Sequence, residues 1–187
     1  MKKQIIFILL IISSFTITGC TYTKIPGNTD ESIKQYLIGS KLINSPNKED
    51  ISIVDNTYIQ NSKIVGFLSK YNNGVVICEK NKKGNYILSD VKCSAKKKET
   101  LGVEDFLVNY NTYNGASKSN NAFVLISDGS KVSHVEITIN DTYKCKESFK
   151  LDRPSMIVVS NDLLSKKSSY VNCKYFDKNN NEISQDV

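Results

Sequence analysis

Residues 62–79 read SKIVGFLSKYNNGVVICE, and this stretch decides the fold class. Two runs rich in isoleucine, valine, leucine and phenylalanine flank the triplet Asn72-Asn73-Gly74, and such runs are typical of β-strands. An Asn-Gly pair supplies the positive φ angles that a two-residue type I′ hairpin requires. We therefore predict strands at residues 62–71 and 75–79, joined by a hairpin turn at Asn72-Asn73-Gly74.

The segments around this hairpin extend it into a helix-covered sheet. A turn at residues 81–84 followed by apolar residues at 86–91 predicts a third strand. A three-stranded meander needs a cover to be stable. Upstream, residues 33–42 carry an apolar stripe of helical spacing that Asn28 can cap. We expect this helix and the meander to form one module over residues 29–114.

The second half of the chain predicts a separate set of strands. Residues 109–121, rich in asparagine and serine, form the clearest linker candidate, whereas residues 93–108 fit either a helical turn or a strand. Beyond the linker, short apolar runs alternate with turns such as Asp128-Gly129. This spacing predicts a small antiparallel β-sandwich over residues 121–187, and an α+β chain that is mostly β. The expected strands are 122–127, 131–139, 143–151, 156–160, 169–176 and 182–183.

The first twenty residues have the pattern of an export signal. Lys2 and Lys3 precede an apolar run at residues 5–12, which is too short to span a bilayer as a mature helix. The residues Ile17-Thr18-Gly19-Cys20 resemble the bacterial lipobox, which implies that residues 1–19 are removed and that Cys20 receives a diacylglycerol. We expect residues 20–28 to be a tether, and the mature protein to be held on the extracytoplasmic face of the cell membrane.

The amino-acid composition and net charge of the chain argue against a nucleic-acid partner and favour an anionic surface or a protein. The 187 residues are 40% hydrophobic and 24% charged, which is typical of globular proteins. Without residues 1–19 the chain has 168 residues, and its net charge falls from +6 to +4. Because its lysines are scattered and Arg153 is its single arginine, we predict no nucleic-acid partner. A weak positive excess suits anionic lipid, an anionic wall polymer or a surface protein.

Four cysteines remain once Cys20 is assigned to the lipid: Cys78, Cys93, Cys145 and Cys173. An even number in an exported chain favours two disulfides, for which three connectivities exist, and the alternative is four free, partly buried thiols. The chain has no CxxC spacing and no cysteine–histidine cluster, so we expect neither a metal site nor a cofactor.

The second strand series resembles the immunoglobulin-like modules of uncharacterised exported proteins from low-GC Gram-positive bacteria. The residues that carry the resemblance are 123–126, 132–139 and 175–179. The resemblance implies a β-sandwich at the cell surface and no particular activity. It also suggests a disulfide between Cys145 and Cys173, with Cys78 and Cys93 left to pair in the first module.

No set of residues has catalytic spacing. His134 is the only histidine, and strand alternation with Val135 predicts that it lies on a solvent-exposed face. The lysines at residues 80–83 and 96–98 either dock on an anionic surface or merely solvate turns. We therefore expect a non-enzymatic binding or interaction module, with no catalytic residue assigned. The alternatives are a small extracytoplasmic hydrolase or wall-modifying enzyme, and an inhibitor or immunity lipoprotein.

Overall fold

A computed structural model describes residues 25–40, 42–43, 47–96, 101–111 and 119–184. Over these ranges the chain is mostly β, with antiparallel sheets and one α-helix, which confirms the predicted α+β class. Two short 3₁₀ segments lie at Lys48–Asp50 and Asp162–Ser165. The elements are α1 (Asp30–Gly39), β1 (Ile51–Ile59), β2 (Ser62–Ser69), β3 (Asn72–Lys80), β4 (Tyr86–Ala95), β5 (Val103–Asn111), β6 (Ser119–Ser127), β7 (His134–Ile139), β8 (Tyr143–Ser148), β9 (Ser155–Ser160), β10 (Val171–Phe176) and β11 (Glu182–Ile183).

The strands form three sheets stacked in layers. The first sheet has the order β1-β2-β3-β4, the middle sheet β5-β6-β9 and the C-terminal sheet β11-β10-β7-β8. All pairings between neighbouring strands are antiparallel. Strand β6 pairs with both β5 and β9, so it is the centre of the middle sheet.

Three apolar clusters fill the spaces between the layers. The first lies between α1 and the first sheet and includes Ile33, Leu37 and Phe67. The second joins the first sheet to the middle sheet through residues such as Ile77 and Val124. The third joins the middle sheet to the C-terminal sheet. The order of layers is therefore helix, first sheet, middle sheet, C-terminal sheet.

The helix begins one residue later than the predicted cap. Thr29 is the N-cap, and its side chain accepts a hydrogen bond from the backbone N–H of Ser32. Asn28 instead accepts a hydrogen bond from the backbone N–H of Tyr86, because it lies against strand β4. The helix ends at Gly39, so Leu42 lies beyond it and is 45% exposed.

The predicted Asn-Gly hairpin is wrong. Asn72-Asn73-Gly74 belongs to β3, and the turn lies two residues earlier at Lys70 and Tyr71. Ser69 stabilises it, because its hydroxyl donates to the carbonyl of Asn72 and accepts from the backbone N–H of the same residue. Gly74 is required for close packing, since a Cβ there would lie 2.3 Å from the carbonyl oxygen of Lys92 and 2.8 Å from the Phe67 ring.

Residues 93–108, whose sequence fits either a helical turn or a strand, are strand at 93–95 and 103–108, and their other described residues, Lys96, Leu101 and Gly102, lie outside strands and helices. Strand β4 continues to Ala95 and β5 begins at Val103. Both ends of the predicted linker 109–121 are also strand, in β5 and β6, and residues 112–118 lie outside the described ranges. Because β5 and β6 are hydrogen-bonded neighbours, the chain crosses from the first half to the second within one sheet.

Replacing Gly74 by alanine should reduce the free energy of unfolding by about 1–3 kcal/mol, because the added methyl group would overlap backbone and Phe67 atoms in a packed layer. Chemical denaturation of the variant measures this loss. The matched control is Gly39→Ala, where nothing lies within 4 Å of the new Cβ and the helical position favours alanine. Equal stability of the Gly74→Ala variant and the natural chain would contradict the described packing.

Candidate functional site

The start of the described chain is fixed to the first sheet. Gly27 donates its backbone N–H to the carbonyl of Tyr86, and Leu88 donates to the carbonyl of Ile25. Pro26 forms a β-bridge with Ile87. Residues 25–28 therefore lie along the edge of β4. The predicted signal 1–19, Cys20 and the tether residues 21–24 lie outside the described ranges.

A buried lysine secures this segment. Lys63 is only 2% exposed, and its Nζ donates to the carbonyl oxygens of Gly27 and Asn28, both at 3.3 Å. A buried ammonium group is costly unless it is hydrogen-bonded. Two carbonyls of one short segment meet part of this need, so the segment and Lys63 stabilise each other. The sequence signal for this contact was a single lysine within the apolar run of β2.

Three exposed lysines lie beside the fixed segment. Lys80 ends β3, Lys82 and Lys83 lie in the turn between β3 and β4, and residues 80–85 contain no acidic side chain. Asn28 contacts this turn, because its side-chain amide donates to the Asn85 side chain at 3.5 Å. We name residues 80–83 the lysine turn. Its position next to residue 28 places a positive charge where the chain enters the fold.

Lys96, of the second lysine group, does not join the lysine turn. It follows the other end of β4, so the ten residues of that strand, about 30 Å in length, separate it from Lys83. Lys97 and Lys98 lie outside the described ranges.

The outer face of the C-terminal sheet carries a shallow cavity of about 530 Å³. Its central row across three strands is Lys146, Glu136 and Lys174, by the register of β8, β7 and β10. Lys144 adds a third amine, whereas Glu182 pairs with Lys174 at 3.5 Å. Two carboxylates thus offset two of the three amines, so this face has little net charge.

A second cleft of about 370 Å³ opens between the middle and C-terminal sheets. Its apolar lining residues include Leu107 and Val171, and its polar ones include Asp105, Cys173 and Tyr175. Burial raises the pKa of the Cys173 thiol to about 11 and raises the pKa of the Tyr175 phenol, so both are neutral at pH 7. Asp105 falls within the region that the sequence left unresolved, so no sequence signal pointed to this cleft.

His134 is buried, and the prediction of an exposed histidine is wrong. It lies on the face opposite Val135, as alternation requires, but its ring stacks on that of Phe176 with centroids 4.6 Å apart. Only 7% of the residue is exposed, and its Nε2 has no hydrogen-bond partner in the described part of the chain. Burial, with a smaller effect of Lys146, lowers the pKa of His134 below 6.5.

Neither predicted disulfide is present, and all four described cysteines are free thiols. Cys145 and Cys173 both lie opposite Ile137, on the two strands that flank β7. Strands two apart are separated by about 9.5 Å, which is too far for a disulfide. Cys78 and Cys93 are on neighbouring strands, but Cys78 pairs with Leu88 and Cys93 with Gly74.

Within the described ranges, no group of three or more histidine, cysteine or acidic residues could hold a metal ion. The Asp177 carboxylate accepts hydrogen bonds from the side-chain amide and the backbone N–H of Asn181 and from the backbone N–H of Asn179, and these bonds lower its pKa. Asp128 accepts one from Ser130 in the same way. Both carboxylates thus stabilise their own turns. The helix of the described segments is too short and polar to cross a bilayer.

Thiol titration of the unfolded, unreduced protein tests the free-cysteine arrangement. We expect four reactive thiols for a chain whose Cys20 is acylated, because the strand register separates each predicted pair. Titration of the same sample after reduction is the control and should give the same number. A result of two or zero thiols before reduction would show that the register around Ile137 or Gly74 is different in the protein.

Acid should destabilise the protein through His134. Because the folded-state pKa lies below 6.5, the unfolded chain binds a proton first as the pH falls. Stability should be constant above about pH 7.5, decline as the pH drops through 6.5, and level off below the folded-state pKa. Denaturation of the natural chain and His134→Gln across this range isolates the effect, because Glu79 titrates equally in both. An identical pH slope in both proteins would contradict the burial of His134.

Comparisons with models of known families, with curated proteins and with solved structures found no match for this chain. A functional proposal therefore depends on the residues themselves. Of the features described, the fixed segment 25–28 with the adjacent lysine turn contains no acidic residue, and the segment begins five positions after Cys20 in the sequence.

Proposed function

We propose that this chain is an extracytoplasmic lipoprotein, anchored in the cell membrane through Cys20, that works as a non-enzymatic binding or interaction module. The lipobox-like residues 17–20 and the short apolar run before them support the anchor. A diacylglycerol contributes two acyl chains, and two chains give stable attachment where one gives only marginal binding.

The observation that carries the proposal is the place where the chain enters the fold. Four residues lie between Cys20 and Ile25, so five residue-to-residue steps span at most about 18 Å when extended. Residues 25–28 are fixed along β4 by backbone hydrogen bonds and by Lys63. The entry point of the folded domain is therefore within about 18 Å of the lipidated residue.

The lysine turn gives this entry point a preferred surface. Lys80, Lys82 and Lys83 are exposed, and Asn85 of the same connection contacts Asn28, so a short tether brings these lysines to the lipid headgroups. Each lysine near an anionic membrane contributes about 1 kcal/mol. The C-terminal sheet lies two layers away from the first sheet, about 20 Å, so it is separate from this entry point.

The outer layers are the part of the molecule available for binding. We also propose that residues 121–187 are part of an immunoglobulin-like sandwich. It is supported by two antiparallel sheets that face each other across one apolar cluster. Such arrangements commonly present edges and loops for recognition.

The anchor is tested by Cys20→Ala in the organism that makes the protein. We expect the variant to leave the membrane fraction and to appear in the medium or as an uncleaved precursor, because no acyl chain is attached. Cys93→Ala is the matched control: this cysteine lies in the folded domain, so the variant should remain in the membrane fraction. Unchanged fractionation of the Cys20→Ala variant would contradict the proposal.

A further inference from the structure

Strand β5 has an open edge. It is the first strand of the middle sheet, and no strand of the described chain pairs with its other side. Its nine residues exceed the usual length of a strand in a globular protein. A long open edge presents unpaired backbone groups that another chain can bind.

The backbone groups at this edge can be assigned from two contacts. The carbonyl of Leu107 accepts a hydrogen bond from Lys92 Nζ at 2.7 Å, and the N–H of Asn111 donates to the Ser62 hydroxyl. Both residues therefore point away from β6. Because alternate residues of a strand share one direction, the N–H groups of Asp105, Leu107 and Asn109 also face the open edge.

The side chains beside this edge have a defined chemistry. Asp105 and Leu107 are exposed and line the cleft between the middle and C-terminal sheets. Leu107 is 43% exposed, which leaves an apolar surface next to the free backbone. Cys173 and Tyr175 are neutral, so Asp105 is the only charged residue among the described ones that line the cleft. No ion pair of the described residues involves it.

The opposite wall of the cleft is also an open edge. Strand β11 pairs with β10 only at Tyr175 and Phe176, so the first four residues of β10 have no strand partner on that side among the described residues. A strand added to β5 would extend the middle sheet, and every second side chain of it would face the cleft, which has apolar surface at Leu107 and Val171.

We propose that the open edge of β5 binds an extended segment of a partner protein by strand addition, with a lysine or arginine of that segment opposite Asp105. Backbone hydrogen bonds to Asp105, Leu107 and Asn109 would supply affinity once the Lys92 side chain leaves the Leu107 carbonyl, and the cation and its apolar neighbours would supply selectivity. The outward backbone groups of Asp105 and Asn109 favour a peptide over a small amine, which would use the Asp105 carboxylate alone. This inference rests on the interaction-module part of the proposed function and does not need the lipid on Cys20.

The test uses the purified full chain and two synthetic nine-residue peptides of alternating valine and threonine, one with a central lysine and one with a central glutamate. We expect the lysine peptide to bind roughly tenfold more tightly, because a cross-strand attraction replaces a repulsion. Hydrogen exchange at Asp105, Leu107 and Asn109 should slow when that peptide is bound.

Three variants separate the contributions. Leu107→Pro removes one outward N–H while leaving the bonds of β5 to β6, so it should abolish binding of both peptides. Asp105→Asn should retain binding but lose most of the preference for lysine. Glu136→Gln, on the far face of the C-terminal sheet, is the charge control, and it should change neither the binding of the peptides nor the preference for lysine.

Several outcomes would overturn the inference. These are no binding of either peptide, equal binding of the two peptides, or unchanged binding by Leu107→Pro. Competition by n-butylamine as effective as the lysine peptide would assign the cleft to a small amine instead. If neither peptide binds but the chain self-associates, and Leu107→Pro abolishes that self-association, the edge binds a second copy of the chain instead. If no peptide binds but the protein still fractionates with the membrane, the strand-addition inference is wrong and the proposed lipid anchor is unaffected.

Discussion

Strands β2 and β3 bury side chains on both of their faces, so the sheet that contains them needs a packed layer above and below it. Val65, Phe67 and Val76 point toward the helix layer, whereas Ile64 and Ile77 point toward the middle sheet. Strand β6 repeats this arrangement, with Val124 on one side and Leu125 on the other. Because burial of apolar area is the main source of stability, these strands determine the four-layer stack.

The layer order also determines which parts of the surface remain available. The helix covers one face of the first sheet, and residues 25–28 cover the edge of β4. The edge of β5 is open because no strand of the described chain pairs with it, and the C-terminal sheet leaves the side chains of Asp105 and Leu107 exposed. The edge of β4 that residues 25–28 cover and the open edge of β5 belong to different sheets. They lie on the same side of the stack, because Lys92 of β4 donates a hydrogen bond to the Leu107 carbonyl of β5.

The sequence predicted where most strands lie, but it did not predict which residues pack around them. The runs around Ile64 and Val75 predicted β2 and β3 because β-branched residues recur there. The hairpin was misplaced because Gly74 is tolerated in a strand when a neighbouring ring and backbone fill the space of its missing side chain. Local turn preference carries no information on that tertiary contact.

In the candidate site, too, the sequence predicted local features but not the contacts between distant strands. Alternation gave the correct face for His134 but not its burial, which depends on Phe176 from a strand about forty residues away. The cysteine pairing failed because β7 lies between the two strands, and strand order cannot be read from one strand's sequence. The lysine turn was visible as a charge run, but its closeness to residue 28 required the structure.

The central claim is that the lysine turn faces an anionic membrane, and competition between two vesicle populations tests it most directly. Lipidated protein is offered phosphatidylcholine vesicles and phosphatidylcholine–phosphatidylglycerol vesicles, and its distribution is measured after exchange. The natural chain should favour the anionic vesicles by roughly fivefold for each lysine, and Lys80, Lys82 and Lys83 changed together to glutamine should remove that preference. The same change at Lys144, Lys146 and Lys174 should leave it intact. Loss of the preference in the second variant and not in the first would contradict the proposed orientation.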